Sequence, residues 1–299
     1  EQDRADALLA RELGVDYLAL SFVRHASDLH EARIVVGEGV PLIAKIEKPE
    51  AIDNLEAIIA ACDGIMVARG DLGVELGPEK VPLAQKRAIQ LANAQGKLVV
   101  TATQMLDSMI RSPRPTRAEA ADVANAVLDA TDVLMLSGET ASGRYPVVTV
   151  QMMDTIIREI EASPLYAKLT EPQITRLDWD FTHACAAAAS LTSRHARLAA
   201  IVVFTRSGRT ADMVAEFRPR APIIALTSTR EVAQRLALQW GVIPVVHSLP
   251  DASDETLALA ARVARATLPM HDGEVIGVVS GHQVDTGTKS FALHTLQAT

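Results

Sequence analysis

Aromatic residues are scarce in this sequence, at 3% of its residues, and cysteine occurs only twice. Cys62 and Cys185 lie in apolar or alanine-rich stretches without the paired spacing of a metal site, so we expect two buried free thiols, which suits a reducing compartment. The sequence also lacks an uninterrupted apolar run of about 18 residues, the length that a membrane span needs. Its opening residues 1–4 lack the basic-then-apolar order of a secretory signal. These absences predict a soluble, cytoplasmic protein.

Positive charge is also in deficit. The sequence has 37 acidic and 29 basic residues and a formal net charge of −8, which disfavours a general nucleic-acid or anionic-membrane surface. An anionic substrate would therefore need a local basic site or a metal ion. With 299 residues, of which 48% are hydrophobic, the chain predicts a globular α/β protein of two domains.

The first half of the sequence alternates short aliphatic runs with longer amphipathic stretches, a pattern typical of parallel strands joined by helices. The predicted strands are residues 17–22, 42–47, 64–68, 98–103 and 133–137. The predicted helices are residues 26–36, 51–61, 81–95, 117–130 and 147–161. Five βα units predict part of a (β/α)8 barrel, with three strands missing from an eight-stranded closure.

A proline-containing stretch of mixed charge, residues 162–180, interrupts this rhythm and predicts a domain boundary, which gives domains 1–161 and 162–299. The second domain is predicted to be a three-layer α/β domain. Its predicted helices are residues 183–195, 210–217, 230–240 and 254–267. Its predicted strands are residues 199–204, 223–227, 242–246, 274–280 and 293–296.

Polar residues follow the predicted strands of the first domain at the end where βα loops build active sites in barrels. Lys45 and Glu47 are two apart, so both side chains face the same side of their strand. Asp71 follows the next strand after a predicted turn in which Gly70 and Gly73 allow unusual dihedrals and close backbone approach. Two carboxylates from neighbouring strand ends suit magnesium. The alternatives are an ordinary ion pair and a helix-capping aspartate.

Further polar groups extend this cluster. Thr103 ends the following strand and supplies a hydroxyl group, and Glu139 follows the fifth strand. Thr116 is a predicted N-cap, with Glu119 three residues later. In the second domain, Thr205-Arg206-Ser207-Gly208-Arg209-Thr210 links a strand to a helix and could bind an anion, or could be a solvated, capped loop.

The sequence resembles pyruvate kinases across essentially its whole length. The segments that carry the resemblance are Lys45-Ile46-Glu47, Ala68-Arg69-Gly70-Asp71-Leu72-Gly73, Ala102-Thr103-Gln104-Met105-Leu106 and residues 113–143, in the order and spacing of that family. The resemblance implies magnesium-dependent phosphoryl transfer from phosphoenolpyruvate to ADP, which gives pyruvate and ATP in glycolysis. It also implies that the chain corresponds to barrel strands four to eight and the C-terminal allosteric domain.

The resemblance implies a role for each matching residue. Glu47 and Asp71 would hold Mg²⁺ or Mn²⁺, and Lys45 would stabilise charge on the phosphoryl group and the enolate oxygen. The backbone N–H groups of Gly70 and Asp71 would bind the substrate carboxylate. Thr103 would also bind the substrate, near its methylene carbon, in the network that protonates the enolate. The loop formed by Thr205, Arg206, Ser207, Gly208, Arg209 and Thr210 would bind a sugar-phosphate effector, under a second loop at residues 280–288.

Other parts of the family's machinery find no counterpart in this sequence. The resemblance implies a homotetramer and a requirement for K⁺, but the K⁺ ligands, a phosphate-binding arginine and much of the nucleotide contact belong to earlier segments of the family. We therefore expect an incomplete form of the enzyme. Two alternatives remain: a catalytically silent fragment that oligomerises and binds sugar phosphates, and a metal-dependent lyase or aldolase barrel acting on a pyruvate enolate.

Overall fold

The structure, a computed structural model, describes residues 2–170, 180–250, 253–280 and 290–297. The chain divides into two compact units, Glu1–Thr170 and Glu171–Thr299. The predicted boundary at residues 162–180 contains this division, but it also contains a helix of the first unit, Pro164–Leu169, in which Pro164 occupies a first-turn position that needs no N–H donor. Residues 171–179 lie outside the described residues.

The first unit is built on a five-stranded sheet in which all neighbours are parallel and the strand order follows the sequence. Its strands are β1 (Leu18–Leu20), β2 (Leu42–Ile46), β3 (Gly64–Ala68), β4 (Leu98–Ala102) and β5 (Val133–Met135). Within the described residues β1 and β5 each pair with one neighbour only, so the sheet does not close. The predicted partial barrel is confirmed.

One helix precedes β1, and helices follow each strand of this sheet. They are α1 (Gln2–Glu12), α2 (Ala26–Val36), α3 (Pro49–Asp53), α4 (Leu55–Ala61), α5 (Arg69–Leu76), α6 (Val81–Ala94), α7 (Arg117–Leu128), α8 (Gly138–Ala141), α9 (Pro146–Glu161) and α10 (Pro164–Leu169), with a 3-10 helix at Asp107–Ile110. The predicted helix 51–61 is two helices, because the Asn54 side chain donates a hydrogen bond of 2.8 Å to the Glu50 carbonyl and competes with the helical pattern.

Side-chain alternation along the strands separates the core from the candidate site. Leu42, Ala44 and Ile46 of β2 are fully buried in a cluster with helix residues such as Leu55 and Ile58. The residues between them, including Lys45, face the opposite side of the sheet. The helix-facing core therefore fixes the direction in which the Lys45 side chain points.

The second unit has a five-stranded sheet of order β10-β9-β6-β7-β8. Its strands are β6 (Ala200–Phe204), β7 (Ile223–Thr227), β8 (Val242–Val246), β9 (Val275–Ser280) and β10 (Ser290–Thr295), and β10 alone among them runs antiparallel to its neighbour. Its helices are α11 (Phe181–His195), α12 (Arg209–Glu216), α13 (Arg230–Leu236) and α14 (Ser253–Thr267). The helix predicted to reach residue 240 thus ends at Leu236, and the last strand begins three residues earlier than predicted.

Helices cover both faces of this second sheet. Ile201, Val203 and Ile223 pack with apolar residues of α11, α12 and α13. The alternate positions Val202 and Ile224 pack with α14 on the other face. The predicted three-layer domain is therefore confirmed.

The two cysteines are free thiols with different environments. Cys62 is buried, as predicted, and burial raises its pKa to about 11. Cys185 is only partly buried, so the prediction of burial is wrong for this residue. No helix among the described residues is long and apolar enough to cross a membrane.

Candidate active site

Lys45 and Glu47 form an ion pair where β2 ends. The Lys45 Nζ lies 2.6 Å from Glu47 Oε1 and donates a hydrogen bond of 2.9 Å to Ser21 Oγ. The Lys45 side chain is 25% exposed, whereas that of Glu47 is 1% exposed. The ammonium group is thus reachable from solvent while its counter-ion is buried beneath it. Ser21 was not predicted as a site residue, although its position directly after β1 follows the same strand-end rule.

The Glu47 carboxylate is only partly satisfied by the protein. Its Oε2 accepts a hydrogen bond of 2.9 Å from the backbone N–H of Phe22, a residue in the left-handed region with φ 57°. Its Oε1 is buried and lies 2.6 Å from Lys45 Nζ, but it accepts no hydrogen bond from the residues that the structure describes. Because a buried charged oxygen is costly without full compensation, this atom is suited to a cation.

Asp71 lies in the first turn of α5, with its side chain exposed. Its carboxylate makes no hydrogen bond or ion pair with the side chains and backbone groups that the structure describes. Over the same described ranges, no group of three or more His, Cys, Asp or Glu side chains is arranged to hold a metal ion. A cation at this edge of the sheet would therefore need oxygen ligands from water or substrate in addition to these carboxylates.

The segment around Gly70 differs from its prediction. A turn with unusual dihedrals was predicted, but the structure has helix α5, and neither Gly70 nor Gly73 has a positive φ. The predicted close approach is present at Gly70, because a Cβ atom there would lie 2.8 Å from Thr103 Cγ2. Gly70 is therefore needed for the space that it leaves to Thr103 and not for its backbone freedom.

Thr103 follows β4 directly and has an unusual backbone. Its φ is 77° and that of Gln104 is 55°, so two consecutive non-glycine residues adopt left-handed conformations. For a β-branched residue such as threonine this conformation is a clear outlier, which costs about 1–3 kcal/mol and persists only where its surroundings enforce it. The outlier lies at the residue predicted to be catalytic.

Two glutamates near this edge accept hydrogen bonds from backbone N–H groups or neighbouring side chains. The buried Glu139 accepts hydrogen bonds from the N–H groups of Leu106 and Ser137, at 3.2 and 2.8 Å. Glu119 forms the predicted capping box with Thr116 and also accepts two hydrogen bonds of 2.6 Å from Ser108. Desolvation raises the pKa of Glu119, but these hydrogen bonds outweigh it and leave the pKa below its usual value. Both residues shape the loops around the site.

The candidate anion loop of the second unit joins β6 to α12. Gly208 is the N-cap of α12 with φ 94°, and its N–H donates a hydrogen bond of 3.0 Å to the Oγ1 of the buried Thr205. The Arg209 side chain is 70% exposed, and its Nη2 lies 3.8 Å from Asp180 Oδ2. Arg206 and Ser207 are exposed, whereas Thr210 is buried. The loop thus presents two guanidinium groups and a hydroxyl group to solvent, and residues 281–288 of the predicted second loop lie outside the described residues.

Known proteins match the chain across both units. The family model "Pyruvate kinase, barrel domain" matches residues 1–150, and "Pyruvate kinase, alpha/beta domain" matches residues 183–292. The pyruvate kinase of Geobacillus stearothermophilus is 46% identical over 97% of this chain and 50% of its own length, and that of Sporosarcina psychrophila is 45% identical over the same shares. The pyruvate kinase of Agrobacterium vitis is 44% identical over 99% of this chain and 63% of its own length.

The chain thus spans about half the length of most of the curated relatives that it matches. The descriptions of the two family models, a barrel domain and an alpha/beta domain, agree with the five-stranded parallel sheet of the first unit and the separate α/β second unit. The chain belongs to the pyruvate kinase family.

Proposed function

We propose that this chain carries the lysine, metal and substrate-carboxylate sites of a pyruvate kinase. The reaction is the magnesium-dependent transfer of a phosphoryl group from phosphoenolpyruvate to ADP, which gives ATP and pyruvate in glycolysis, in the cytoplasm. The observation that carries the proposal is the partly exposed Lys45 ammonium group, held 2.6 Å from the buried Glu47 carboxylate at the end of β2. Phosphoryl transfer depends mostly on positioned charge, which this pair supplies.

The residues present fit a divalent cation. Glu47 Oε1 is buried and accepts no hydrogen bond from the described groups, and the Asp71 side chain is exposed in the first turn of α5. Carboxylate oxygens in small number suit Mg²⁺ or Mn²⁺, because magnesium retains waters and takes substrate oxygens as further ligands. When bound, the ion neutralises charge on the phosphate and orients the substrate. A requirement for K⁺ is part of the proposal, and we assign no ligand for it.

The chain's own residues have distinct roles in this proposal. The Lys45 ammonium group stabilises negative charge on the transferring phosphoryl group and on the enolate oxygen. Gly70 and Asp71 lie in the first turn of α5, where backbone N–H groups have no partner within the helix, so they can bind the substrate carboxylate. The Thr103 hydroxyl group belongs to the network that delivers a proton to the methylene carbon of the enolate.

Pyruvate formation from phosphoenolpyruvate, ADP and magnesium tests the proposal. The assay is run on this chain and on a chain completed at its N-terminus with the corresponding segment of the Geobacillus stearothermophilus relative. In the active form, Lys45→Ala should lower turnover by about 10² to 10³, the usual loss for a preorganised charge stabiliser. Lys168→Ala, at an exposed lysine of α10, is the matched control. Near-normal turnover of the Lys45 variant would refute its role, and inactivity of both wild-type forms would refute the function.

The second candidate is a catalytically silent unit that oligomerises and binds sugar phosphates. Its support is that the chain spans only half the length of most of the relatives described above. It predicts activity in neither the given chain nor the completed chain, but retained binding of sugar phosphates. Activity in the completed chain alone would instead show that the catalytic half is present and needs the missing segment.

We also propose that the loop from Thr205 to Thr210 binds the phosphate of an allosteric sugar phosphate, and that the complete enzyme is a homotetramer. The exposed guanidinium groups of Arg206 and Arg209 beside the start of α12 support the first proposal. Arg209→Ala should weaken activation and leave the basal rate unchanged, with Arg262→Ala, an exposed arginine of α14, as the control. Unchanged effector affinity in the Arg209 variant would count against the loop, and sedimentation of the completed chain measures the assembly.

A further inference from the structure

Arg69 is the most extensively bonded arginine side chain near the candidate site. It is the first residue of α5, and its side chain is only 10% exposed. Its Nε donates to the Ala102 carbonyl at 3.3 Å, and its Nη2 donates to the Thr103 carbonyl at 2.8 Å and to Met105 Sδ at 2.9 Å. Its Nη1 pairs with Asp122 Oδ1 of α7 at 2.6 Å. One guanidinium group therefore binds the last residue of β4 and two residues of the segment after it, and it is itself paired with a carboxylate.

The segment that Arg69 binds is the strained one. Along β4, Val99 packs in the helix-facing core, and side-chain alternation would send residues 101 and 103 to the same face. The left-handed φ values at Thr103 and Gln104 end this alternation. Thr103 Cγ2 instead lies so close to Gly70 that a Cβ atom there would be at 2.8 Å. The position of the Thr103 side chain thus depends on a backbone conformation that threonine rarely adopts.

We infer that Arg69 is a positioning residue that holds Thr103 at the site through the backbone carbonyls of Ala102 and Thr103. The guanidinium group is suited to this task because its N–H donors are fixed in one plane, so it can bind two successive carbonyls and a carboxylate together. A lysine has one ammonium nitrogen and cannot reproduce this geometry. Charge alone is therefore not sufficient at this position.

The inference rests on the proposed function for its catalytic consequence but not for its structural content. Without the hydrogen bonds from the Arg69 guanidinium group, the backbone at Thr103 and Gln104 is expected to relax towards ordinary conformations. This change would move the Thr103 hydroxyl group. Displacement of a catalytic group by about 1 Å can cost on the order of 10² in rate. Lys45 and Glu47 lie at the end of β2, and the backbone N–H groups of Gly70 and Asp71 and the Asp71 carboxylate remain in an Arg69 variant, so affinity should change less than turnover.

The structural test follows the Thr103 methyl group by NMR in the full chain labelled at its threonine methyl groups. The Thr103 signal is assigned by its loss in Thr103→Ser. In Arg69→Lys this signal should shift and its order parameter should fall, whereas in Arg87→Lys, an exposed arginine of α6, it should stay unchanged. The signal of the buried Thr149 reports that each variant is folded. If Arg69→Lys fails to fold, Arg69→Gln replaces it. An unchanged Thr103 signal in a folded Arg69 variant would overturn the inference.

The kinetic test uses the active, completed chain. Arg69→Lys should lower kcat by about 10- to 100-fold and change KM for phosphoenolpyruvate by less than about threefold, because the charge and the binding groups remain. The rate at which the enzyme exchanges the methyl protons of added pyruvate for solvent deuterium reports proton transfer at that carbon. This rate should fall by a similar factor. Normal kcat and normal deuterium incorporation would overturn the inference while leaving the proposed function intact. Inactivity of the wild type would refute the function and leave the NMR test in force.

Discussion

Replacement of Gly70 by alanine tests the close approach between α5 and Thr103. A Cβ atom at this position would lie 2.8 Å from Thr103 Cγ2, a distance that side chains do not tolerate without movement. Threonine is β-branched and stiff at χ1, and the Thr103 carbonyl is bound by Arg69 at 2.8 Å. Neither partner can therefore yield easily, and the added methyl group should displace Thr103 from its position.

The effect on stability should be small compared with the effect on turnover. Overpacking of a well-packed contact costs about 1–3 kcal/mol, whereas alanine in place of a helical glycine returns about 0.5–1 kcal/mol. The net loss in the free energy of unfolding is therefore about 0–2.5 kcal/mol. A displaced catalytic threonine, by contrast, should lower kcat by about 10²-fold. The backbone N–H of residue 70 remains in the variant, so KM for phosphoenolpyruvate should change little.

Gly73→Ala is the matched control in the same helix. Its Cβ atom would lie 3.6 Å from Val81 Cγ2, which is an ordinary van der Waals contact. This variant should be as stable as the wild type or more stable, with normal turnover. The measurements are urea denaturation and the pyruvate assay in the completed chain. If Gly70→Ala retains wild-type kcat, the close contact with Thr103 does not matter for catalysis and the reasoning fails.

Three further predictions concern loops and thiols. Glu119→Ala should cost about 1–3 kcal/mol at neutral pH in chemical denaturation, since four hydrogen bonds end on this carboxylate. Because folding lowers its pKa, this stabilisation should shrink as the pH falls below 4.5, and a pH-independent difference would contradict the assignment. Gly143→Ala places a Cβ atom 2.3 Å from the Glu139 carbonyl oxygen and should cost about 1–3 kcal/mol, whereas Gly39→Ala, with no atom within 4 Å, should be nearly neutral. In a Cys185→Ser background, Cys62 should resist thiol reagents until unfolding, because burial raises its pKa to about 11; rapid labelling of the native form would refute this.

Much of the fold could be predicted because most of its strands are short aliphatic runs that are buried or half-buried in the structure. β3, β7 and β8 have the predicted bounds, and α2 does as well. The Lys45–Glu47 pair followed from the two-residue period of a strand whose other face is apolar. Such predictions succeed when one local pattern decides the structure, without a contribution from residues distant in sequence.

The predictions that failed depended on tertiary contacts. α5 contains Gly70 and Gly73, both weak helix formers, so local propensity favoured a turn there. The burial of the Glu47 carboxylate under Lys45, and its bond from the Phe22 N–H, require a loop 25 residues away. The left-handed backbone at Thr103 is likewise invisible to local pattern, since threonine there extends a strand of β-branched residues. The sequence could place Glu47 and Thr103 at one edge of the sheet. It could not show which of their atoms form hydrogen bonds with residues distant in sequence.

The three consecutive residues Arg69, Gly70 and Asp71 now have separate physical reasons to be adjacent. Arg69 binds the carbonyls on either side of the Ala102–Thr103 peptide, and Gly70 leaves the space that the Thr103 methyl group occupies. Asp71 is the next residue of the first turn of α5, and its carboxylate is exposed. A helix that begins directly at the end of β3 gives all three residues fixed positions relative to β4. Insertion of one residue before Arg69 would rotate the helix start by about 100° and separate the three functions, whatever the side chains present.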